Sequence, residues 1–259
     1  MTTQLKISII TVCFNSKATI RDTIESVLSQ SYPNIEYLII DGGSTDGTLN
    51  IIAEYGDRIG RVVSEQDRGI YDAMNKGIHL ASGEIIGILN SDDVYVDTES
   101  VKNLVAPIIL GHSDASFADL VVVSSSDLNK VVRYYDSSYF SPEKFRYGWM
   151  PAHPTFFIKK SCYELAGDYS LNYKIAADYE MLIRLLLIYG FSYTYIPKPL
   201  IRMRLGGASS ASLARNWVLN CEIVKACKEN GIWTALPLLL LKVPQKLAGR
   251  IFKRKLQQI

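Results

Sequence analysis

Between Lys6 and Leu89 the chain alternates short apolar runs with helix-like stretches, and this alternation restricts the possible folds more than any other feature. The runs Ile7-Ser8-Ile9-Ile10-Thr11-Val12 and Tyr37-Leu38-Ile39-Ile40 are almost continuously apolar. A strand with that pattern is covered on both faces, which is the situation in a parallel sheet with helices on either side. The spacing predicts strands at 7–13, 36–40, 61–64 and 84–89, with helices at 17–30, 46–54 and 70–81. Repeated strand-helix-strand units of this kind give an α/β, Rossmann-like, mostly parallel sheet flanked by helices. Ligands of such sheets bind at the carboxyl ends of the strands. Polar clusters fall at those ends: Asn15 after the first strand, Asp41 after the second, Glu65 and Asp67 after the third, Asp92 and Asp93 after the fourth.

The second half is less regular. A helix is expected near 99–110, strands at 118–123 and 130–135, and further helices at 176–188 and 213–228. The domain division expected is 1–210 for the α/β body and 211–259 for a helical C-terminal extension. At 259 residues and 48% hydrophobic content the chain can bury a full core. A net charge of +2 gives no reason to expect a nucleic-acid partner. Cys13, Cys162, Cys221 and Cys227 lack paired metal spacing and suit reduced thiols. The first residues lack the apolar core of a signal peptide, and no apolar run reaches the roughly 18 residues of a spanning helix, so a cytoplasmic body is expected.

Asn90-Ser91-Asp92-Asp93 places adjacent carboxylates where a buried strand meets solvent. Such a tetrapeptide also suits an ordinary turn. Oxygen ligands at a strand end suit Mg²⁺ or Mn²⁺, which take one or two carboxylates and complete their shell with substrate phosphate oxygens. Asp41-Gly42-Gly43-Ser44-Thr45-Asp46 permits tight backbone turns and offers caps for the next helix, and no Gly-Lys-Ser/Thr follows to make it a Walker loop.

Taken with Ser8 to Asn15, the run from Glu65 to Gly77 and the 90–93 tetrapeptide, this loop resembles glycosyltransferase family 2, the nucleotide-sugar transferases of GT-A fold, over roughly residues 5–205. The resemblance implies that Asp41 binds the nucleobase, that Thr11 and Asn15 line the nucleotide pocket and that Asp67 faces the nucleoside. It also implies that Asp92, followed by Asp93, belongs to the metal motif. Asn90 stands where the family's first Asp is usual, which implies weaker metal binding. Met74 stands where many relatives carry Arg, leaving Arg68 or Lys76 for extra diphosphate contact, although Lys76 also suits an exposed helix position. Transfer to an alcohol requires a base. Asp178 in Ala177-Asp178-Tyr179-Glu180 matches the family's base position, with Glu180 as the second candidate; acidic residues are also common in a first helical turn, but the other motifs favour catalysis. His153-Pro154-Thr155 resembles an acceptor-side element of the bacterial surface-polysaccharide subgroup. Arg204 precedes a Gly-rich loop like the one relatives fold over the diphosphate, where an Arg can pair with phosphate bidentately.

From Trp233 onward an apolar stretch precedes Lys242, Lys246, Arg250, Lys253, Arg254 and Lys255, with no acidic residue after Glu229. This pattern suits a helix lying on an anionic bilayer, and it suits a packed helix with a solvated basic face as well. The resemblance implies an inverting transfer from a UDP, dTDP or GDP sugar to a lipid-linked glycan acceptor, in assembly of a bacterial surface polysaccharide. The enzyme would sit peripherally on the cytoplasmic face of the membrane. The Gln-x-x-Arg-Trp signature of processive synthases is missing. Two rivals remain: a sugar nucleotidyltransferase, which should carry a Gly-rich loop after its first strand, and a non-catalytic nucleotide-sugar-binding partner subunit, which the residues Asn90 and Ala177 favour.

Overall fold

The computed structural model describes residues 4–206 and 213–239. Nine strands form one mixed sheet: β1 (Ile7–Cys13), β2 (Ile35–Asp41), β3 (Arg61–Ser64), β4 (Ile85–Ile88), β5 (Val94–Tyr95), β6 (Ala115–Val123), β7 (Val131–Tyr135), β8 (Phe157–Lys159) and β9 (Tyr193–Arg204). The helices are α1 (Ile20–Leu28), α2 (Thr48–Ala53), α3 (Ile70–Leu80), α4 (Ser100–Ile109), α5 (Lys160–Ala166), α6 (Ala177–Ile183), α7 (Leu213–Glu229) and α8 (Leu236–Leu239). The strand order is β3-β2-β1-β4-β8-β6-β9-β5, with β7 paired to β6. β3, β2, β1 and β4 run parallel, as the alternation predicts. β8 joins β4 and β6 antiparallel, β9 runs parallel to β6, and β5 closes the edge antiparallel to β9.

Every residue of β1 is buried, and its side chains divide by the period of two between the cores on the two faces. Ile10 and Val12, with Leu38 and Ile40 of β2, enter the core that α3 and α6 cover. Ile7 and Ile9, with Tyr37 and Ile39, enter the opposite core, which α1 and α4 cover. On α1 the buried residues Ile20, Thr23, Ile24 and Val27 follow the i, i+3, i+4, i+7 stripe of an amphipathic helix.

The structure adds β5, β8, α5 and β9 to the elements expected from the sequence. In β9, Pro197 and Pro199 lack the N–H a ladder needs, and the strand accommodates them with register shifts around Asp119. The helix expected over 176–188 is α6 followed by a π-helical turn at Arg184–Ile188. The described part of the C-terminal extension packs on the α/β body: Ile223, Ala226 and Cys227 of α7 and Leu239 of α8 join the same core as α3 and α6. The basic residues from Lys242 onward lie outside the described residues. All four cysteines are free thiols, and no described helix is long and apolar enough to cross a membrane.

Candidate active site

The carboxyl ends of β1, β2 and β3 are joined by hydrogen bonds of the Asn15, Ser44, Asp41 and Ser64 side chains. Asn15 follows β1 with a φ of 49°, in the left-handed region that Asn tolerates better than most residues. Its N–H donates to Ser44 Oγ at 2.7 Å, and its Oδ1 accepts the N–H of Thr45 at 2.9 Å. Asp41, at the end of β2, is wholly buried. Its carboxylate accepts the N–H groups of Gly43 (3.1 Å) and Ser44 (2.9 Å) and the hydroxyls of Ser44 (2.5 Å) and Ser64 (2.7 Å). Burial pushes its pKa upward, yet the bonds from Ser44 and Ser64 hold the carboxyl below the usual carboxylate range. Thr11 is also fully buried, and its hydroxyl accepts a hydrogen bond from Tyr37 at 3.1 Å. Asp41 thus organises the loop after β2, while Thr11 lies beneath it within the sheet.

Asp67 is half-buried, and its Oδ1 accepts the N–H of Gly69 at 2.8 Å. Its other oxygen, Oδ2, would lie 2.5 Å from a Cβ at position 42, so only Gly at 42 lets this carboxylate stand against the loop after β2. Lys76, on α3, pairs with Glu65 at 2.9 Å and Asp72 at 3.5 Å. Arg68 pairs with Asp72 at 3.2 Å and keeps most of its side chain in solvent.

After β4 the turn 90–93 carries the least satisfied polar atoms of the site. Asn90 Oδ1 and both carboxylate oxygens of Asp93 are buried without a hydrogen-bond partner. Burial, and then the adjacent Asp92 charge, pushes the Asp93 carboxyl well above its usual range, and burial raises Asp92 as well. Uncompensated buried oxygens at a strand end are the donor set a hard divalent cation would satisfy. No group of three His, Cys, Asp or Glu side chains among the described residues forms a cage by itself. The fit is thus to an ion that takes part of its shell from a substrate. Asp92, Asn90 and Asp93 are the residues available to it.

Asp178 occupies the first turn of α6. Its Oδ1 accepts the N–H of Tyr179 at 2.7 Å, and its Oδ2 lies 3.3 Å from His153 Nδ1. Asp178, His153, Asn90, Met74, Phe156 and Tyr163 line one pocket, so the turn after β4 and the start of α6 face a common space. His153 stands on a short 3₁₀ turn pinned to β6, where Thr155 Oγ1 accepts the N–H of Ala118 at 2.9 Å. The turn is also held through Ser137, whose Oγ accepts the N–H of Ala152 at 3.2 Å while its own N–H donates to Asp119 at 2.7 Å.

Two expected site residues are occupied elsewhere. Glu180 is buried and accepts two bonds from Arg184, at 2.7 and 2.9 Å. Arg204 is buried, pairs with Asp22 and donates to the carbonyl of Ser125 at 3.1 Å; the Gly-rich loop that follows it lies outside the described residues from 207 to 212. The reading of the sequence missed Tyr71, whose hydroxyl donates to the carbonyl of Ile175, and Tyr163 and Phe156 in the pocket wall. Tyr71 lies inside the 65–77 motif, but its partner is about 100 residues away in sequence and carries no local signal.

Comparison with known proteins bears on the family and the fold. The sequence model of "Glycosyl transferase family 2" matches residues 8–169. A PGL/p-HBAD biosynthesis glycosyltransferase of Mycobacterium bovis is 28% identical over 182 residues, covering 68% of each chain. The putative teichuronic acid biosynthesis glycosyltransferase TuaG of Bacillus subtilis is 39% identical over 101 residues, covering 38% of this chain and 40% of TuaG. Among solved structures, residues 1–349 of S. aureus TarS in complex with UDP superpose with a TM-score of 0.69 at 19% identity, covering 97% of this chain and 74% of that one. In the longer TarS structure this chain spans 44% of the length. The mannosyltransferase PcManGT of Pyrobaculum calidifontis, in complex with GDP-Man and Mn²⁺, gives a TM-score of 0.62 at 16% identity, covering 98% of this chain and 82% of that one. The structural likenesses establish the GT-A fold, and with the sequence match over 8–169 they show that this chain belongs to glycosyltransferase family 2.

Proposed function

We propose that the protein is an inverting, metal-assisted glycosyltransferase that moves a sugar from a nucleoside-diphosphate donor of UDP, dTDP or GDP type to a hydroxyl of a lipid-linked glycan acceptor. The observation that supports this reading is the shared pocket of Asp178, His153 and Asn90, in which the Asp178 carboxylate and the turn that carries Asp92 border one space. Asp67, Asn15 and the loop organised by Asp41 form the nucleoside side. A Mg²⁺ or Mn²⁺ ion held by Asp92, with Asn90 and Asp93 behind it, would neutralise charge on the departing diphosphate.

The acceptor hydroxyl attacks the anomeric carbon as the bond from that carbon to the diphosphate oxygen breaks. Its proton passes to Asp178 Oδ2. The Tyr179 N–H on Oδ1 fixes the carboxylate plane, and His153 Nδ1 keeps Oδ2 turned into the pocket. One displacement at the anomeric carbon inverts its configuration. The setting inferred is bacterial cell-surface glycan assembly, which the names of the Mycobacterium and Bacillus relatives support. The basic residues after Lys242 suit attachment to the anionic inner face of the membrane.

The test is a melting-temperature panel of UDP, GDP, dTDP and CMP, each with and without Mn²⁺, because a ligand that binds only the folded state raises the melting temperature by mass action. A Mn²⁺-dependent rise with one nucleoside diphosphate, lost in Asp92→Ala, is expected. Asp178→Asn should keep that rise and lose donor turnover by about 10² to 10⁴-fold. A non-catalytic partner subunit would bind nucleotide but show the same negligible turnover in the wild type and in Asp178→Asn.

A further inference from the structure

α6 begins without a side-chain cap, since its N-cap residue is Ala176. The segment that leads into α6 is instead held by α7, about 50 residues further along the chain. The Glu222 carboxylate accepts three successive backbone N–H groups, those of Lys174 (2.8 Å), Ile175 (2.9 Å) and Ala176 (3.0 Å). Bonds of this kind to an ionised acceptor are roughly twice as strong as neutral ones, and the carboxylate also sits at the positive end of the α6 dipole. The same segment is gripped elsewhere by α7: Lys225 donates to the carbonyl of Asn172 at 3.2 Å and lies over the Tyr173 ring, whose hydroxyl donates to Glu229. On its other side Tyr71 of α3 donates to the carbonyl of Ile175. Asp178 is two residues beyond the last of the three N–H groups.

We infer that Glu222 is a positioning residue for Asp178, so that α7, which lies outside the matched family region 8–169, is part of the catalytic apparatus. The inference rests on the assignment of Asp178 as the base. Glu222 fixes the backbone from which α6 starts, and the start of α6 fixes the distance between Asp178 Oδ2 and His153 Nδ1. An amide at 222 keeps the size of the side chain but offers one acceptor oxygen and one NH₂ group. The NH₂ group must face a backbone N–H that the carboxylate accepts, so the segment is released.

The experiment uses the full chain and first needs no ligand. With three histidines in the sequence, the His153 ring proton resonances are identified by comparison with His153→Gln. In Asp178→Asn these resonances should move at fixed pH, and in Glu222→Gln they should move the same way, with faster amide exchange at Lys174, Ile175 and Ala176. His153 resonances and amide exchange unchanged in Glu222→Gln, alongside a clear change in Asp178→Asn, would overturn the inference. With UDP-GlcNAc, UDP-glucose and GDP-mannose as donors and Mn²⁺ present, Glu222→Gln should lose about 10-fold in kcat with donor KM unchanged. The double variant with Asp178→Asn should be no slower than Asp178→Asn alone. A further drop in the double variant would assign Glu222 a general structural role and overturn the inference. Full turnover in Asp178→Asn would instead remove the base assignment, a result distinct from any failure at Glu222.

Discussion

Removing the Asp41 carboxylate tests whether this residue organises the nucleotide-side loop or is held in reserve for the ligand. Asp41→Ala strips the acceptor from the N–H groups of Gly43 and Ser44 and from the hydroxyls of Ser44 and Ser64. The hydroxyls can rotate to other partners, whereas the two N–H groups are fixed by the turn. Each buried donor left unpaired costs about 1–3 kcal/mol. Gly43 and Ser44 are only half-buried, so water recovers part of this, and a total of about 2–4 kcal/mol is expected. At about 2–4 °C per kcal/mol for a chain of this size, the ligand-free melting temperature should fall by roughly 4–16 °C. Asp41→Asn keeps the shape and one oxygen, and should lose roughly half as much. The sign of the pH dependence follows from the depressed pKa of Asp41. A carboxyl held below its unfolded value, about 3.9, contributes in full above that value and loses its contribution as pH falls through the folded value. The gap between wild type and Asp41→Asn should therefore be constant from pH 8 to about pH 5 and close in more acidic solution. Melting curves by circular dichroism over this range are the assay. If both variants melt within 1 °C of the wild type at pH 7, the carboxylate does not organise the loop and the reasoning fails.

Two other perturbations follow from packing and charge. A Cβ at position 87 would lie 2.3 Å from Cζ of the fully buried Phe157 ring on β8, so Gly87→Ala should destabilise by about 1–3 kcal/mol; Phe157→Leu, which removes the ring, should make the same change cheaper, as read by urea unfolding. Asp93 is a carboxyl whose folded pKa is raised, so the ligand-free protein should gain stability as pH falls from 7 toward the unfolded value of about 3.9, and Asp93→Asn should flatten that limb of the melting curve against pH. An unchanged limb in Asp93→Asn would show that Asp93 does not hold the proton.

How much of this was legible in the sequence differs by element. The apolar runs of β1 and β2 show the parallel half of the sheet because a strand buried on both faces leaves a local composition signature, and the polar residues after each run mark the ligand edge for the same reason. β9 was hidden because Pro197 and Pro199 break the donor pattern of a strand, and its ladders with β6 and β5 join segments far apart in sequence. Asp178 was singled out through a motif. Its contact with His153, at 3.3 Å, depends on the pinning of the 153–155 turn to β6 and leaves no trace in residue order.

The sequence by itself determined the α/β architecture, the family and the set of carboxylates at the sheet edge, because strand period, Gly-rich turns and adjacent acids act over a few residues. Only the tertiary structure decided which carboxylates are engaged. Asp41 is taken by the loop after β2 and by Ser64 of β3, Glu180 by Arg184, and Asp22 by Arg204. It also decided that Glu222 of α7 holds the start of α6. Hydrogen-bond partners in a folded chain are chosen by spatial proximity and burial, and these pairings join elements as much as 182 residues apart, beyond the reach of any local pattern.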